Sequence, residues 1–309
     1  MASTEITVGA EPRLRAKRRR IGEDVVKGAL FVCALISVAT TVGIVIALFI
    51  PAFEFFQEVS IVDFLTGREW APLFEPAHFG VLPLIGGTLL VTLIASIVAM
   101  PLGLGAAIYL SEYASPRARG FLKPALETLA GIPTIVFGYF ALTFVTALLR
   151  DVGIEVDIFN TLSAGLVMGV MLMPIVASLS EDAMGAVPRD LRDGAYALGS
   201  TKVQVATRIV VPAAVSGIVA SFVLAISRAV GETMIVLVAM GQQPNLTFDP
   251  REAAEAMTAF IAATGAGDVP TGSIEYKTIF AVGATLFVMT LVMNVFAIRL
   301  VRKYREVYE

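Results

Sequence analysis

The chain has 309 residues, 57% of them hydrophobic and only 16% charged, with a net charge of −3 and a mean hydropathy of +0.81. Soluble domains carry about a quarter charged residues, so long apolar blocks at this charge exclude an ordinary soluble protein and fit a chain built for a bilayer. One cysteine, Cys33, and one histidine, His78, exclude an intrachain disulfide and a cysteine-based metal centre.

Crossing a hydrocarbon core of about 30 Å takes roughly 20 apolar helical residues. Six stretches reach that length, at 28–50, 80–110, 125–149, 161–180, 213–240 and 278–301. Residues 1–27 form a basic tail whose run Arg13, Arg15, Lys17, Arg18, Arg19 and Arg20 precedes the first stretch. That stretch is too long for the apolar region of a secretory signal and no small-residue cleavage site follows, so it reads as a retained signal-anchor. Residues 51–79 form a first outer loop. The second stretch contains Pro83 and Pro101 and exceeds a straight crossing, so a tilt, a kink or a partly interfacial course is expected. Pro133 and Pro174 interrupt the third and fourth stretches. Such breaks persist in membranes only where neighbours or a cavity satisfy the freed backbone groups. A long loop at 181–212 separates the fourth and fifth stretches. A second outer loop, 241–277, holds the turn-rich run Gly-Ala-Gly-Asp-Val-Pro-Thr-Gly, with no signal of fixed structure. Residues 302–309 close the chain.

Lys and Arg divide very unevenly between alternate loops, 18 on one side and four on the other. The side rich in positive charge faces the cytoplasm, so both termini are expected there. No stretch of the chain is left for a soluble catalytic or nucleotide-binding domain, so any ATP hydrolysis would belong to another subunit.

Two ionisable residues lie well inside the apolar stretches, Arg228 and Glu232, both in the fifth. Mid-membrane charge costs about 2.5–3.5 kcal/mol per residue on insertion scales, so a retained one usually faces a polar interior. At a spacing of four they would share one helical face. A guanidinium offers forked donors that match a tetrahedral oxyanion, which makes Arg228 a candidate anion contact and Glu232 its neutralising partner when no anion is present. The alternative is a structural ion pair that locks the helix to its neighbours.

The 181–212 loop mixes small, apolar and charged residues at helical spacing. Ala195 and Gly199, one turn apart, would give a smooth face that another surface can approach, and a second helical stretch is expected from Thr201 through Val203, Val205 and Ile209 to Pro212. A helix–turn–helix of this kind reads as a docking element or as an interfacial hairpin. Its residues resemble the EAA loop of bacterial ABC importer permeases. Asp193-Gly194-Ala195, then Gly199, Ile209 and Val211-Pro212 keep that family's spacing, with Asp193, Gly194 and Val211 departing conservatively. The runs Leu129–Thr134, Ser227–Met234 and Pro101–Gly105 are similar to the PstC-type phosphate permeases, and the likeness extends over about residues 25–305.

The resemblance implies an all-α membrane protein with six transmembrane helices and the type I ABC importer (MetI-like) permease fold, over residues 28–301, in a bacterial cytoplasmic membrane. It implies a PstA-like second permease subunit, a PstB-like ATPase dimer that uses ATP and Mg, and an extracytoplasmic PstS-like phosphate-binding protein. Neither a cofactor bound by this chain nor a nucleic acid is expected. Asp193, Gly194, Ala195, Gly199, Ile209 and Pro212 would couple to the ATPase, and Arg228 and Glu232 would line the substrate path. Two alternatives stay open at this point, an ABC importer for another oxyanion such as sulfate or molybdate, and a stand-alone secondary anion transporter.

Overall fold

The computed structural model describes residues 21–303. The basic run Arg13–Arg20 and the last residues of the terminal tail lie outside them. The chain divides into two units, residues 1–47 and 48–309. In the described part of the first, α1 (Ile21–Glu58) is a single apolar helix; it continues past Ala47 into the second unit.

The remaining elements belong to the second unit. After α1 come α2 (Ile61–Thr66) and a two-stranded hairpin of β1 (Trp70–Ala71) and β2 (His78–Phe79), paired antiparallel with Trp70 opposite Phe79. The long helix α3 (Leu82–Ile108) ends in a π-helical turn, Tyr109–Tyr113, and α4 (Pro116–Ala130) follows. Next, α5 (Thr134–Phe140), a π turn at Ala141–Val145 and α6 (Thr146–Asp151) run on as one rod. The central helix α7 (Thr161–Gly185) leads to α8 (Arg189–Ala197) and α9 (Lys202–Val205), then to a π turn at Ala206–Val210 and α10 (Val211–Ala213). The chain closes with α11 (Val215–Val230), a π turn at Val236–Met240, α12 (Met257–Gly265) and α13 (Ile274–Lys303).

The main core forms around α3 and α7. Without water to drive apolar surfaces together, membrane helices associate through close packing at small residues. Gly165 and Gly169 of α7 receive Ile94 and Val98 of α3, and Gly103 of α3 receives Val176 of α7. A Cβ at any of the three would lie within 2.7 Å of the facing side chain. Leu, Met and Ala side chains, including Met168, Leu172 and Ala95, fill the rest. A second core, of Phe55, Phe64, Trp70, Leu84, Met257 and Phe260, gathers the connections at the opposite end from α8. There the Trp70 ring meets Phe260 edge-on at 4.9 Å between centroids.

Five helices are long and apolar enough to cross a membrane. A sixth crossing is reached by counting the pair Lys202–Ala213 and Val215–Val230, whose axes differ by 71°. Three expectations change. The third crossing is residues 134–151, not 125–149, because Gly131-Ile132-Pro133 breaks the chain and leaves α4 as a separate, exposed helix with Glu127 on it. The fifth stretch, 213–240, is not one helix. At 16 residues α11 spans only about 24 Å and ends at Gly231 before the chain turns again. The second outer loop contains a helix, α12, whose Met257, Ala259 and Phe260 are buried. Pro83 falls in the first turn of α3, where its missing N–H costs nothing, so α3 is one helix with Pro101 inside it.

Candidate functional site

Arg228 occupies the last turn of α11 and its side chain is exposed. Glu232 was expected on the same helical face; the structure separates them. Gly231 caps α11 with φ −89° and ψ 0°, so Glu232 lies beyond the helix, where i, i+4 adjacency no longer holds. The Glu232 carboxylate accepts from the Met234 backbone N–H at 3.2 Å, and its carbonyl accepts from the Thr258 hydroxyl of α12 at 2.6 Å. No ion pair joins Arg228 to Glu232, and the Arg228 side chain has no hydrogen-bond or ionic partner among the described residues. Each charge instead sits at a favourable chain end, the cation at the C-terminal end of α11 and the buried carboxylate at the start of the next helical segment.

One turn of chain around this break is polar. Ser227, beside Arg228, donates to the Asn294 side chain of α13 at 2.7 Å. Asn294 is an exposed amide inside an apolar helix, and sequence reasoning passed over it although a lone Asn in such a run is itself a signal.

At the other end, the 181–212 segment is the expected helix–turn–helix, held from below by charges that the sequence reading did not assign. Arg192 of α8 donates to the Glu112 carboxylate at 3.0 Å and to the carbonyls of Val187 and Met184 at 2.6 and 2.8 Å. That strap ties α8 to the ends of both α3 and α7. Glu181, fully buried near the end of α7, accepts from Lys123 at 2.7 Å and from Arg119, both on α4. The hydrogen bond from Lys123 to Glu181 raises the lysine above its ordinary pKa.

Of the loop residues, Ala195 is buried in a small core with Met184, Val187 and Val205, and Ile209 packs against it from the π turn. Asp193, Gly194 and Pro212 are exposed. Ala195 and Gly199 do not form one smooth face, contrary to expectation. Gly199 lies past the end of α8 at φ +81°, and the Gly199 and Ser200 amides close the helix by donating to the Tyr196 and Ala195 carbonyls. Gly199 is therefore a left-handed helix stop, a conformation that costs a residue with a Cβ. Thr201 and Gln204 then form a capping box that starts α9. The outward side of this element shows Leu191, Tyr196, Leu198 and Val203, all exposed. An anchored helix with an uncovered apolar side can bind a protein groove.

Residues 99–306 match the sequence profile of the family described as "binding-protein-dependent transport system inner membrane component". The chain is 33% identical over 311 residues to the probable ABC transporter permease protein YqgH of Bacillus subtilis, covering 99% of this chain and all of that one. It is 32% identical over 273 residues to the phosphate transport system permease protein PstC of Mesorhizobium japonicum, covering 81% of each. Among solved structures, a chain of the bacterial alginate ABC transporter, in complex with a periplasmic protein carrying an alginate pentasaccharide, superposes with a TM-score of 0.64. The match has 17% identity and covers 92% of this chain and 98% of that one. The fold is therefore that of a type I ABC importer permease.

Proposed function

We propose that this chain, which belongs to the family of binding-protein-dependent transport system inner membrane components, is the permease subunit of an ATP-driven phosphate importer. It is a multi-pass inner-membrane protein, and the charge asymmetry of its loops supports cytoplasmic termini. The observation that carries the substrate is Arg228, a permanent cation at the helix break that ends α11, with no partner among the described residues. An unneutralised guanidinium beside the Ser227–Asn294 pair suits a tetrahedral oxyanion, and relatives named as PstC phosphate permeases support phosphate among oxyanions.

Arg228 lines the path, and Glu232 fixes the break beside it. A PstA-like subunit supplies the other half of the path. The α8 element, with Asp193, Gly194, Ala195, Gly199, Ile209 and Pro212, docks on a PstB-like ATPase. Leu191, Tyr196 and Leu198 meet its groove, and Arg192 transmits the displacement to α3 and α7. ATP and Mg act in that subunit; this chain binds no cofactor and hydrolyses nothing. A PstS-like protein delivers phosphate from outside.

Labelled-phosphate uptake in cells lacking their own high-affinity importer tests this, with the chain expressed beside its three partners. Uptake that needs every partner and disappears in Arg228→Gln, with the complex still assembled, is the expected result. Wild-type uptake in that variant removes Arg228 from the path, and uptake without the ATPase overturns the importer mechanism. An assembled complex that moves sulfate or molybdate but not phosphate changes the substrate.

A further inference from the structure

The loops at the α12 end line an open cavity of about 500 Å³ with Trp70, Phe74, Phe260, Gln242, Glu255 and Asp268 among its walls. Glu255 is 5% exposed, and its carboxylate has no hydrogen-bond or ionic partner among the described residues. The indole Nε1 of Trp70 is buried and also unpartnered. Buried polar atoms normally find partners, and the Trp70 donor has none, while the Glu255 carboxylate in the same cavity wall is an acceptor without a partner among the described residues. Burial pushes the Glu255 carboxyl up to about 7. Around the mouth, Asp268 is exposed and Phe74 stands 72% exposed at the hairpin tip.

The surrounding end of the protein is acidic throughout. Segments 51–81, 150–160 and 241–277 carry five, three and five acidic residues against one, one and two basic ones. Such a surface repels a free oxyanion and attracts a basic protein surface. The counted Lys and Arg place this end outside the cytoplasm, where the family's binding protein approaches.

We infer that the cavity is a docking socket for a Lys or Arg side chain of the extracytoplasmic binding protein, with Glu255 as its anion. The aromatic walls suit the cation. This rests on the family's dependence on a binding protein; with the phosphate reading added, the partner is the phosphate-binding protein, and the acidic surface explains why the anion must arrive enclosed. A buried, unpaired carboxylate costs the free subunit stability and gains its partner only on docking, which makes the contact conditional on the partner.

The test measures, at pH 8, the affinity of the phosphate-loaded binding protein for the assembled transporter in nanodiscs. Glu255→Gln keeps the side-chain shape and is expected to weaken docking at least tenfold. Alanine substitutions at the binding protein's surface Lys and Arg should reveal one whose loss is costly against wild type and neutral against Glu255→Gln. Equal affinity for Glu255→Gln and wild type overturns the socket while leaving the importer reading intact. A loss that couples to no basic residue overturns the proposed occupant, as when the cavity holds a small cation or a lipid amine instead. Failure of the wild-type transporter to bind the phosphate-binding protein overturns both the socket and the partner on which it rests.

Discussion

Beneath α8, the buried carboxylates of Glu181 and Glu112 each hold cations from another helix, Arg119 and Lys123 in one case and Arg192 in the other. Arg228 at the end of α11 and Glu255 before α12 hold none among the described residues. The paired carboxylates tie separate helices together, as expected of groups whose removal leaves an opposite charge stranded. The unpaired charges tie nothing. One is desolvated and the other stands at the end of a membrane helix, neither with a partner among the described residues, and such uncompensated cost concentrates where a ligand or partner completes the site. The contrast separates residues that hold the frame from residues that meet something outside it.

Removing the cations around Glu181 should have the largest effect on stability. Arg119→Ala with Lys123→Ala leaves a fully buried carboxylate alone, and a loss of about 2–3 kcal/mol is expected after allowing for the partial exposure of both cations. Thermal denaturation of the purified complex measures it, and an unchanged midpoint would break the distinction. Arg192→Ala should cost about 2 kcal/mol, since Glu112 loses its cation and two carbonyls lose donors. Because the strap holds α8, co-purification of the ATPase should fall with it; full retention would confine Arg192 to folding.

The unpaired charges should behave the other way. Burial raises the Glu255 carboxyl from 4.5 to about 7, so its ionised form is disfavoured in the folded state. The cost is absent below about pH 4.5, grows between 4.5 and 7, and is complete above 7. Glu255→Gln should therefore raise stability by about 1–3 kcal/mol at pH 8 and leave it nearly unchanged at pH 4. Melting curves at the two pH values check the sign, and a loss at pH 8 would place Glu255 among the structural carboxylates. Arg228→Gln should change stability least, within about 0.5 kcal/mol, although it removes uptake. A melting shift as large as that of Arg192→Ala would make Arg228 a structural cation after all.

Much of this was legible in the residues. Apolar run length set the number of crossings, because the bilayer thickness fixes how long such a run must be. The spacing of Asp193, Gly194, Ala195, Gly199, Ile209 and Pro212 located the helix–turn–helix, because local capping chemistry at Gly199 and Thr201 acts within a few residues. What the sequence could not settle was which charges meet. A spacing of four suggested that Arg228 pairs with Glu232, but Gly231 ends the helix between them, and Thr258, 26 residues away, holds the Glu232 carbonyl. Glu181 and Glu112 find cations 62 and 80 residues distant, and Glu255 shares its cavity with Trp70 and Phe260, which are 185 residues upstream and five downstream of it. Hydrophobic length and helix caps are local properties that a chain carries in its order of residues. Charge pairing and desolvation depend on which distant segments the packing of α3 against α7 brings together, so the tertiary structure alone decided them.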